Sequence, residues 1–216
     1  MNNPERIIQS WHDNAAAWTT AVQENKIASR KLVTNRAILE VVLFEDPYKV
    51  LDAGCGEGWL CRELAAQGID VIGIDVSEAL IEVATRMGAG TFLTLGYEAF
   101  VQNPELAGSG YNGIVFNFSL LDAAIAEVLS AARTVLAPGG CVVIQTVHPF
   151  TACGDAPYED GWREEHFTSF GGLFPTSMPW YFRTMGTWLS TLSEAGFVLD
   201  KLEEPLHPET GRPASL

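Results

Sequence analysis

The residues with the clearest chemical use lie around a glycine-rich stretch. Gly54, Gly56 and Gly58 follow a short apolar run, and Asp52 stands two residues before the first of them. Alternate glycines allow a tight turn whose backbone N–H groups can face a ligand. A carboxylate at Asp52 would repel a pyrophosphate and attract an ammonium or sulfonium cation. The stretch therefore predicts a site for a cationic ligand at the end of a strand.

A second acid, Asp75, ends the apolar run Val71–Ile74. An acid about 20 residues beyond such a turn can accept hydrogen bonds from ribose hydroxyls. Asp52 and Asp75 together predict a nucleoside ligand with a cationic tail and no phosphate.

The motif resembles that of a known family. Val50–Gly58 resembles V-L-D-x-G-C-G-x-G, the first motif of the class I S-adenosylmethionine-dependent methyltransferases, and Asp75 falls on the family's ribose-binding acid. Leu136–Gly140 resembles its L-x-P-G-G turn, and Ala195–Phe197 its A-G-F, over a span of residues 30 to 205. The resemblance implies an enzyme that uses S-adenosyl-L-methionine and releases S-adenosyl-L-homocysteine. The other residues, taken up below, lead us to predict the metal-independent, small-molecule type.

The elements that must position these residues alternate between strands and helices from Lys49 onward. This alternation, with the resemblance, predicts an α/β fold with a Rossmann-like, doubly wound, mainly parallel sheet of six to seven strands. The predicted strands are Lys49–Asp52, Val71–Asp75, Thr91–Leu95, Gly113–Phe118, Cys141–Thr146 and Phe197–Glu203. The predicted helices are Trp59–Gln67, Glu78–Met87, Asp122–Leu136 and Thr184–Ala195. The family's seventh strand would begin near residue 214, and the sequence leaves open whether one follows residue 216.

Residues 1–44 have helical spacing and are predicted to form a lid over the cofactor, ahead of a methyltransferase domain at 45–216. Arg30 is a candidate partner for the carboxylate of the cofactor. The alternative is that Trp11 and Trp18 of the lid pack on the sheet and Arg30 is solvated. The full set of candidate cofactor-binding residues is Arg30, Asp52, Gly54, Cys55, Gly56, Asp75, Val76, Leu95, Gly96, Tyr97, Asn117 and Phe118. Many family members have an acid just after the third strand that accepts a hydrogen bond from the adenine amino group. This chain has Gly96-Tyr97-Glu98 there, so it departs from the family at that contact.

His148 is the candidate catalytic residue, because it lies at the carboxyl end of the predicted fifth strand. An imidazole could remove a proton from a hydroxyl near neutral pH. The alternative is a histidine ordered by the turn at Pro149. His166 and His207 are far away in sequence and show no ligand spacing, so we predict no metal.

The segment 150–183 is rich in aromatic residues, and we predict that it caps the acceptor pocket. Its alternative role is a dimerisation surface or a cover for the sheet edge. The candidate substrate residues are Trp18, Phe150, Trp162, Arg163, Trp180, Tyr181 and Arg183. The predicted acceptor is a small molecule methylated at a hydroxyl or carboxyl oxygen. A non-catalytic regulatory module that binds S-adenosylmethionine is the main rival, and the glycine spacing disfavours a nicotinamide-dependent dehydrogenase.

Composition limits the partners. Asp and Glu number 27 against 13 Lys and Arg, which gives a formal net charge of −14 and disfavours nucleic acid and basic membrane-surface binding. Phe118-Ser119-Leu120 also fails to match the D/N-P-P-Y/F/W motif of amino-directed nucleic-acid methyltransferases. The four cysteines form no C-x-x-C pair, and no apolar leader precedes them. We therefore predict a cytoplasmic protein. For its oligomeric state we predict a monomer or a homodimer.

Overall fold

A central parallel sheet organises the chain. The computed structural model describes residues 1–209 and 211. The strands of the sheet are β1 (Lys49–Ala53), β2 (Asp70–Asp75), β3 (Thr91–Thr94), β4 (Tyr111–Asn117) and β5 (Leu136–Gln145), in the order β3-β2-β1-β4-β5. All four strand pairs are parallel, and the order reverses between β1 and β4. Ligands of such sheets bind at the carboxyl ends of strands beside this switch point. The predicted Rossmann-like fold is confirmed.

Helices cover both faces of the sheet. The α-helices and the π-helix of the described residues are α1 (Asn3–Asp13), α2 (Ala15–Gln23), a π-helix (Arg30–Thr34), α3 (Asn35–Phe44), α4 (Trp59–Ala65), α5 (Glu78–Met87), α6 (Tyr97–Gln102), α7 (Ile125–Val135), α8 (Pro149–Cys153) and α9 (Met185–Glu194). Successive strand residues face opposite sides. Leu51 and Phe116 accordingly belong to one apolar core, whereas Val50 and Val115 belong to the core on the other face. The central strands are thus buried on both sides, which fixes the positions of their ends.

A second, smaller sheet lies in the segment 150–183. It consists of β6 (Gly161–Glu165) and β7 (Met178–Phe182), paired antiparallel. A separate apolar cluster joins this segment to the N-terminal helices, and it includes Trp18 of α2 and Phe174. The segment 150–183 therefore contains an ordered hairpin that packs on the N-terminal helices, and its role as a cap stays a prediction.

The end of the described chain differs from the prediction. The central sheet has five strands and the cap supplies two more, but residues 197–203 form no strand. Val198 is 92 % exposed, so the burial that favours a strand is missing there. The region from residue 214, where the seventh strand of the resembled family would begin, lies outside the described residues. Across residues 1–209 and 211, every helix falls short of the length and apolar character that crossing a membrane requires.

Candidate active site

A cavity of about 1160 Å³ opens at the carboxyl ends of the central strands. Ligand sites typically measure about 300–1,000 Å³, so this cavity exceeds what one ligand needs. All twelve candidate cofactor residues line it: Arg30, Asp52, Gly54, Cys55, Gly56, Asp75, Val76, Leu95, Gly96, Tyr97, Asn117 and Phe118. The structure thus brings together residues that are spread over most of the chain.

The glycine turn after β1 has little room for side chains. Gly54 has φ +84°, and a Cβ added there would lie 2.4 Å from the Cβ of Ser119. Its N–H donates to the carbonyl of Ile74 over 2.8 Å, which ties the turn to β2. Gly56 has φ +56° and nothing within 4 Å of an added Cβ, so one face of the turn stays open. The turn is therefore closed towards the sheet and accessible from the cavity.

Asp75 at the end of β2 is held in a fixed orientation. Its Oδ2 accepts from the N–H of Gly56 over 2.9 Å and its Oδ1 from the N–H of Ser77 over 2.8 Å. Burial raises the pKa of this carboxyl, and the two backbone bonds oppose that effect. A carboxylate has about four acceptor positions, so Asp75 keeps capacity for the hydroxyls of a ribose.

Asp52 is buried and only half satisfied. It is 1 % exposed; its Oδ2 accepts from the thiol of Cys61 over 3.3 Å, and its Oδ1 has no partner. Burial raises the pKa of Asp52 to about 7, which the thiol bond opposes and the charge of Asp75 reinforces. A buried carboxylate with a free acceptor is costly unless a cation pairs with it. The residue therefore fits an ammonium group on a ligand.

Arg30 brings a positive charge to the same part of the cavity. It begins the π-helix, a geometry often found at functional sites, and its guanidinium lies 4.8 Å from the ring centroid of Trp59. Its Nε donates to Asn35, while its Nη2 has no partner. Burial lowers the pKa of Arg30 to about 10, and the charges of Glu57 and Asp52 oppose that shift. A free donor and a free acceptor in one cavity fit the carboxylate and ammonium of a methionine group.

Tyr97 forms a fixed wall beside the turn. Its hydroxyl donates to the carbonyl of Ala53 over 2.9 Å, and its ring packs edge-on against Phe116 at 6.0 Å. Burial raises the pKa of Tyr97, while a bond with Ser119 lowers it. The phenol therefore stays neutral and serves as an apolar surface in a site that also contains Leu95.

The end of β4 carries a strained residue. Phe118 has φ +55°, although it is not glycine, and its N–H donates to the carbonyl of Gln145 over 2.8 Å. Such backbone strain costs about 1–3 kcal/mol and clusters at functional sites. The neighbouring Asn117 leaves its Oδ1 without a partner at the cavity.

The candidate substrate residues are divided by the structure. Trp18, Trp180, Tyr181 and Arg183 line the cavity. Phe150, Trp162 and Arg163 do not, and neither does the candidate base His148.

His148 lies outside the cavity because it is the N-cap residue of α8, where the chain turns at Pro149. Its Nε2 pairs with Glu204 instead of facing the strand ends. This matches the alternative in which the turn orders the histidine, and the geometry gives no support to its role as a base.

The three outlying residues of the cap have structural contacts. Phe150 is 75 % exposed. Trp162 packs against Tyr181 with ring centroids 5.4 Å apart. The guanidinium of Arg163 donates to two backbone carbonyls and lies 3.5 Å from the ring centroid of Phe182. These contacts hold the hairpin together, and sequence alone could not separate them from contacts with a substrate.

Comparison with known families agrees with this geometry. Residues 23–202 match the model of a family described as a methyltransferase domain. The chain is a class I S-adenosylmethionine-dependent methyltransferase. Members of this family are enzymes whose cofactor is S-adenosylmethionine.

The methyltransferase is similar to several known proteins. It is 33 % identical over 104 residues to a ubiquinone biosynthesis O-methyltransferase of Sinorhizobium medicae, a match covering 46 % of this chain and 41 % of that protein. The match thus spans about two fifths of that relative's length. It is 24 % identical over 229 residues to an uncharacterized protein of Haemophilus influenzae, covering 95 % of this chain and 88 % of the other.

Solved structures share the fold of the methyltransferase. An S-adenosylmethionine-dependent methyltransferase from Mesorhizobium loti has a TM-score of 0.56 at 24 % identity, covering 72 % of this chain and 76 % of the other. The 1,6-didemethyltoxoflavin-N1-methyltransferase of Burkholderia thailandensis, solved with its substrate and S-adenosylhomocysteine, has a TM-score of 0.59 at 19 % identity. That match covers 92 % of this chain and 82 % of the other.

Several polar residues that line the cavity were not predicted from the sequence, and Glu57 and Ser119 are two that lie at the glycine turn of the methyltransferase. Glu57 lines the cavity, is 3 % exposed and pairs with Arg62 over 2.7 Å. Its position between Gly56 and Gly58 was a usable signal. Ser119 also lines the cavity and donates to the carbonyl of Ala53 over 2.7 Å. Its proximity to the turn depends on packing and left no signal in the sequence.

Proposed function

We propose that the enzyme transfers the methyl group of S-adenosylmethionine to an oxygen of a small-molecule acceptor. One observation carries the proposal: the cavity of about 1160 Å³ extends beyond the candidate cofactor residues to Trp180, Tyr181 and Arg183. A cap collapsed onto the cofactor residues would have favoured a regulatory role. An open cavity of this size has room for both donor and acceptor.

The proposed donor site uses the free polar atoms of the cavity. Asp52 accepts from the ammonium of the methionine group, and Arg30 donates to its carboxylate. Asp75 binds the ribose hydroxyls. The backbone of the turn at Gly54, Cys55 and Gly56, the floor at Asn117 and Phe118, and the adenine wall of Val76, Leu95, Gly96 and Tyr97 complete the site.

The bound cofactor supplies a methyl group on a sulfonium, which is already a strong electrophile. The chain therefore contributes mainly by aligning the acceptor oxygen with that methyl and by excluding water. We assign water exclusion to residues 1–44 as a lid and to the segment 150–183 as a cap. The apolar cluster that joins these two segments supports a joint role in covering the cavity.

The proposed mechanism depends on the positioning of the acceptor and does not use a histidine as a base. Within the described residues, no histidine lines the cavity. An oxygen acceptor is supported by the relatives named as O-methyltransferases. The acidic net charge of −14 supports a small-molecule partner over a nucleic acid. A cytoplasmic location and a monomeric or dimeric state stay predictions.

Calorimetry and mass spectrometry test the proposal together. The wild-type chain should bind S-adenosylhomocysteine in the micromolar range, and with S-adenosylmethionine it should add a methyl to members of a panel of phenols, catechols and hydroxy acids. A folded sample that binds the cofactor but methylates no oxygen compound would favour the regulatory alternative. Methylation confined to amines would contradict the oxygen assignment.

Two arginines of the N-terminal region provide a matched pair for the donor site. Arg30→Met should weaken S-adenosylhomocysteine about tenfold, the value of a charge-assisted hydrogen bond. Binding of 5′-methylthioadenosine, which lacks the carboxylate, should be unchanged. Arg36→Met removes a guanidinium that pairs with Glu40 on the exposed face of α3, and it should alter neither ligand. Equal loss of both ligands in Arg30→Met would contradict the carboxylate assignment.

A further inference from the structure

The cavity contains a second buried cation, Arg183, at the end of β7. It is 3 % exposed and lines the cavity. Its Nη2 donates to the backbone carbonyl of Asp122, whereas its Nη1 has no partner. A buried guanidinium with a free donor beside a cavity indicates a binding partner that the chain itself does not supply.

The carboxylates whose charges act on Arg183 are those of Asp122 and Asp160, and both accept hydrogen bonds from other groups. Asp122 and Asp160 raise its pKa, although burial, the largest effect, lowers it. Asp160 accepts from the N–H of Thr184 over 2.7 Å and from the hydroxyl of Thr187 over 2.6 Å. Among the described residues, no carboxylate forms an ion pair with Arg183 within 4.0 Å. Its charge is therefore available to a ligand.

Aromatic rings fix the plane of this guanidinium. It lies 4.9 Å from the ring centroid of Tyr181 and 5.3 Å from that of Trp188. Both rings line the cavity, as does Trp180. An arginine held in one plane presents its donors as a fork that matches a carboxylate, and the surrounding rings suit a flat apolar body.

We infer that Arg183 binds the carboxylate of the acceptor, so that the substrate class is an aromatic hydroxy acid. This rests on the proposed function and narrows it. Arg30 has Asp52 and Glu57 as its charged neighbours, whereas Arg183 has Asp122 and Asp160. The two cations therefore serve different parts of the cavity, one for the donor and one for the acceptor.

The inference also selects the oxygen that is methylated. A carboxylate held by a guanidinium has its oxygens occupied, so the hydroxyl is the nucleophile. The hydroxyl oxygen forms the new O–C bond, its proton leaves to water, and the electron pair of the broken C–S bond stays on sulfur. The products are an aryl methyl ether that keeps its carboxylate and S-adenosylhomocysteine.

Calorimetry on the full chain saturated with S-adenosylhomocysteine tests the inference with two probes, 3,4-dihydroxybenzoate and catechol. The acid should bind at least about tenfold more tightly than the neutral probe. Arg183→Met should weaken the acid by about 10- to 100-fold and change catechol by less than about twofold. The matched control is Arg163→Met on β6, outside the cavity, which should leave the ratio of the two affinities unchanged.

Arg183→Lys keeps the charge without the planar fork, and it tests the inference if the methionine variant fails to fold. Its preference for the acid should lie between those of the wild type and a neutral side chain. If the chain binds the cofactor but binds the two probes with equal affinity, or binds neither probe, this inference alone is overturned. An undiminished preference for the acid in Arg183→Lys and Arg183→Met does the same. Failure of the folded wild type to bind the cofactor removes the proposed function and this inference with it.

Discussion

The cavity has two halves that the chain builds in different ways. The donor half, around Gly54, Asp52 and Asp75, consists of strand ends and backbone atoms joined by short hydrogen bonds. The acceptor half, around β7, depends on side chains from distant segments: the ring of Trp18 lies 4.7 Å from that of Phe174, and Arg6 pairs with Glu164. Local chain geometry thus determines the donor half, and long-range packing determines the acceptor half.

Removing an aromatic ring from the shared cluster tests whether the halves are independent. Phe174 stacks on Phe167 at 4.4 Å, and Phe174→Ala should cost about 3–5 kcal/mol of unfolding free energy in urea titrations. The aromatic partners of Phe174 are Trp18, Phe167 and Phe170, and none of them is a candidate cofactor residue. Affinity for S-adenosylhomocysteine should therefore change by less than about twofold while 3,4-dihydroxybenzoate binding is lost. Phe150→Ala, at a residue 75 % exposed in the same segment, should change neither quantity. A parallel loss of cofactor affinity in Phe174→Ala would mean that the halves form one unit.

A pair of glycines with the same backbone angle tests the donor half. Gly54 and Gly68 both have φ +84°, but only at Gly54 does an added Cβ meet another atom within 4 Å. Gly68→Ala should cost about 1 kcal/mol, from backbone strain alone. Gly54→Ala adds overpacking against Ser119 and should cost about 2–4 kcal/mol and weaken cofactor binding. Equal losses of stability in urea would show that the turn yields to the added methyl.

The same contrast explains what could be predicted from the sequence. The donor residues follow apolar strands at fixed spacing, so Asp52, the turn and Asp75 could be placed from residue types alone. A parallel sheet brings strand ends to one edge, which also gave Asn117 and Phe118. All of the candidate cofactor residues consequently line the cavity.

The acceptor half was less predictable because aromatic residues serve packing and binding alike. Trp180 and Trp162 stand on paired strands, yet only Trp180 lines the cavity. The orientation of the His148 side chain depends on the turn at Pro149 and on Glu204, which lies 56 residues away in the chain. Residues 197–203 match a strand by composition but lack the burial that would stabilise one. Each of these differences depends on long-range contacts, which leave no periodic pattern in the sequence.

A smaller effect, the pH dependence of cofactor binding, isolates one group of the donor half. The pKa of Asp52 is about 7 in the folded chain against 3.8 for a free carboxyl. Between about pH 4 and 7 the folded chain therefore binds more protons than the unfolded chain, and the contribution of Asp52 to stability falls as pH rises through this window. An ammonium ligand requires the ionised carboxylate, so cofactor binding releases the proton.

Affinity for S-adenosylhomocysteine should accordingly rise about 30-fold from pH 5.5 to 8 and level off above pH 7. Calorimetry over this range on the wild type, Asp52→Asn and Asp70→Asn measures the effect. Asp52→Asn should bind weakly without this rise, because an amide does not titrate. Asp70 is exposed at the opposite end of β2, so its substitution should leave the profile intact. A rise of the same size in Asp52→Asn would assign the titration to another group, with Asp75 first because burial also raises its pKa.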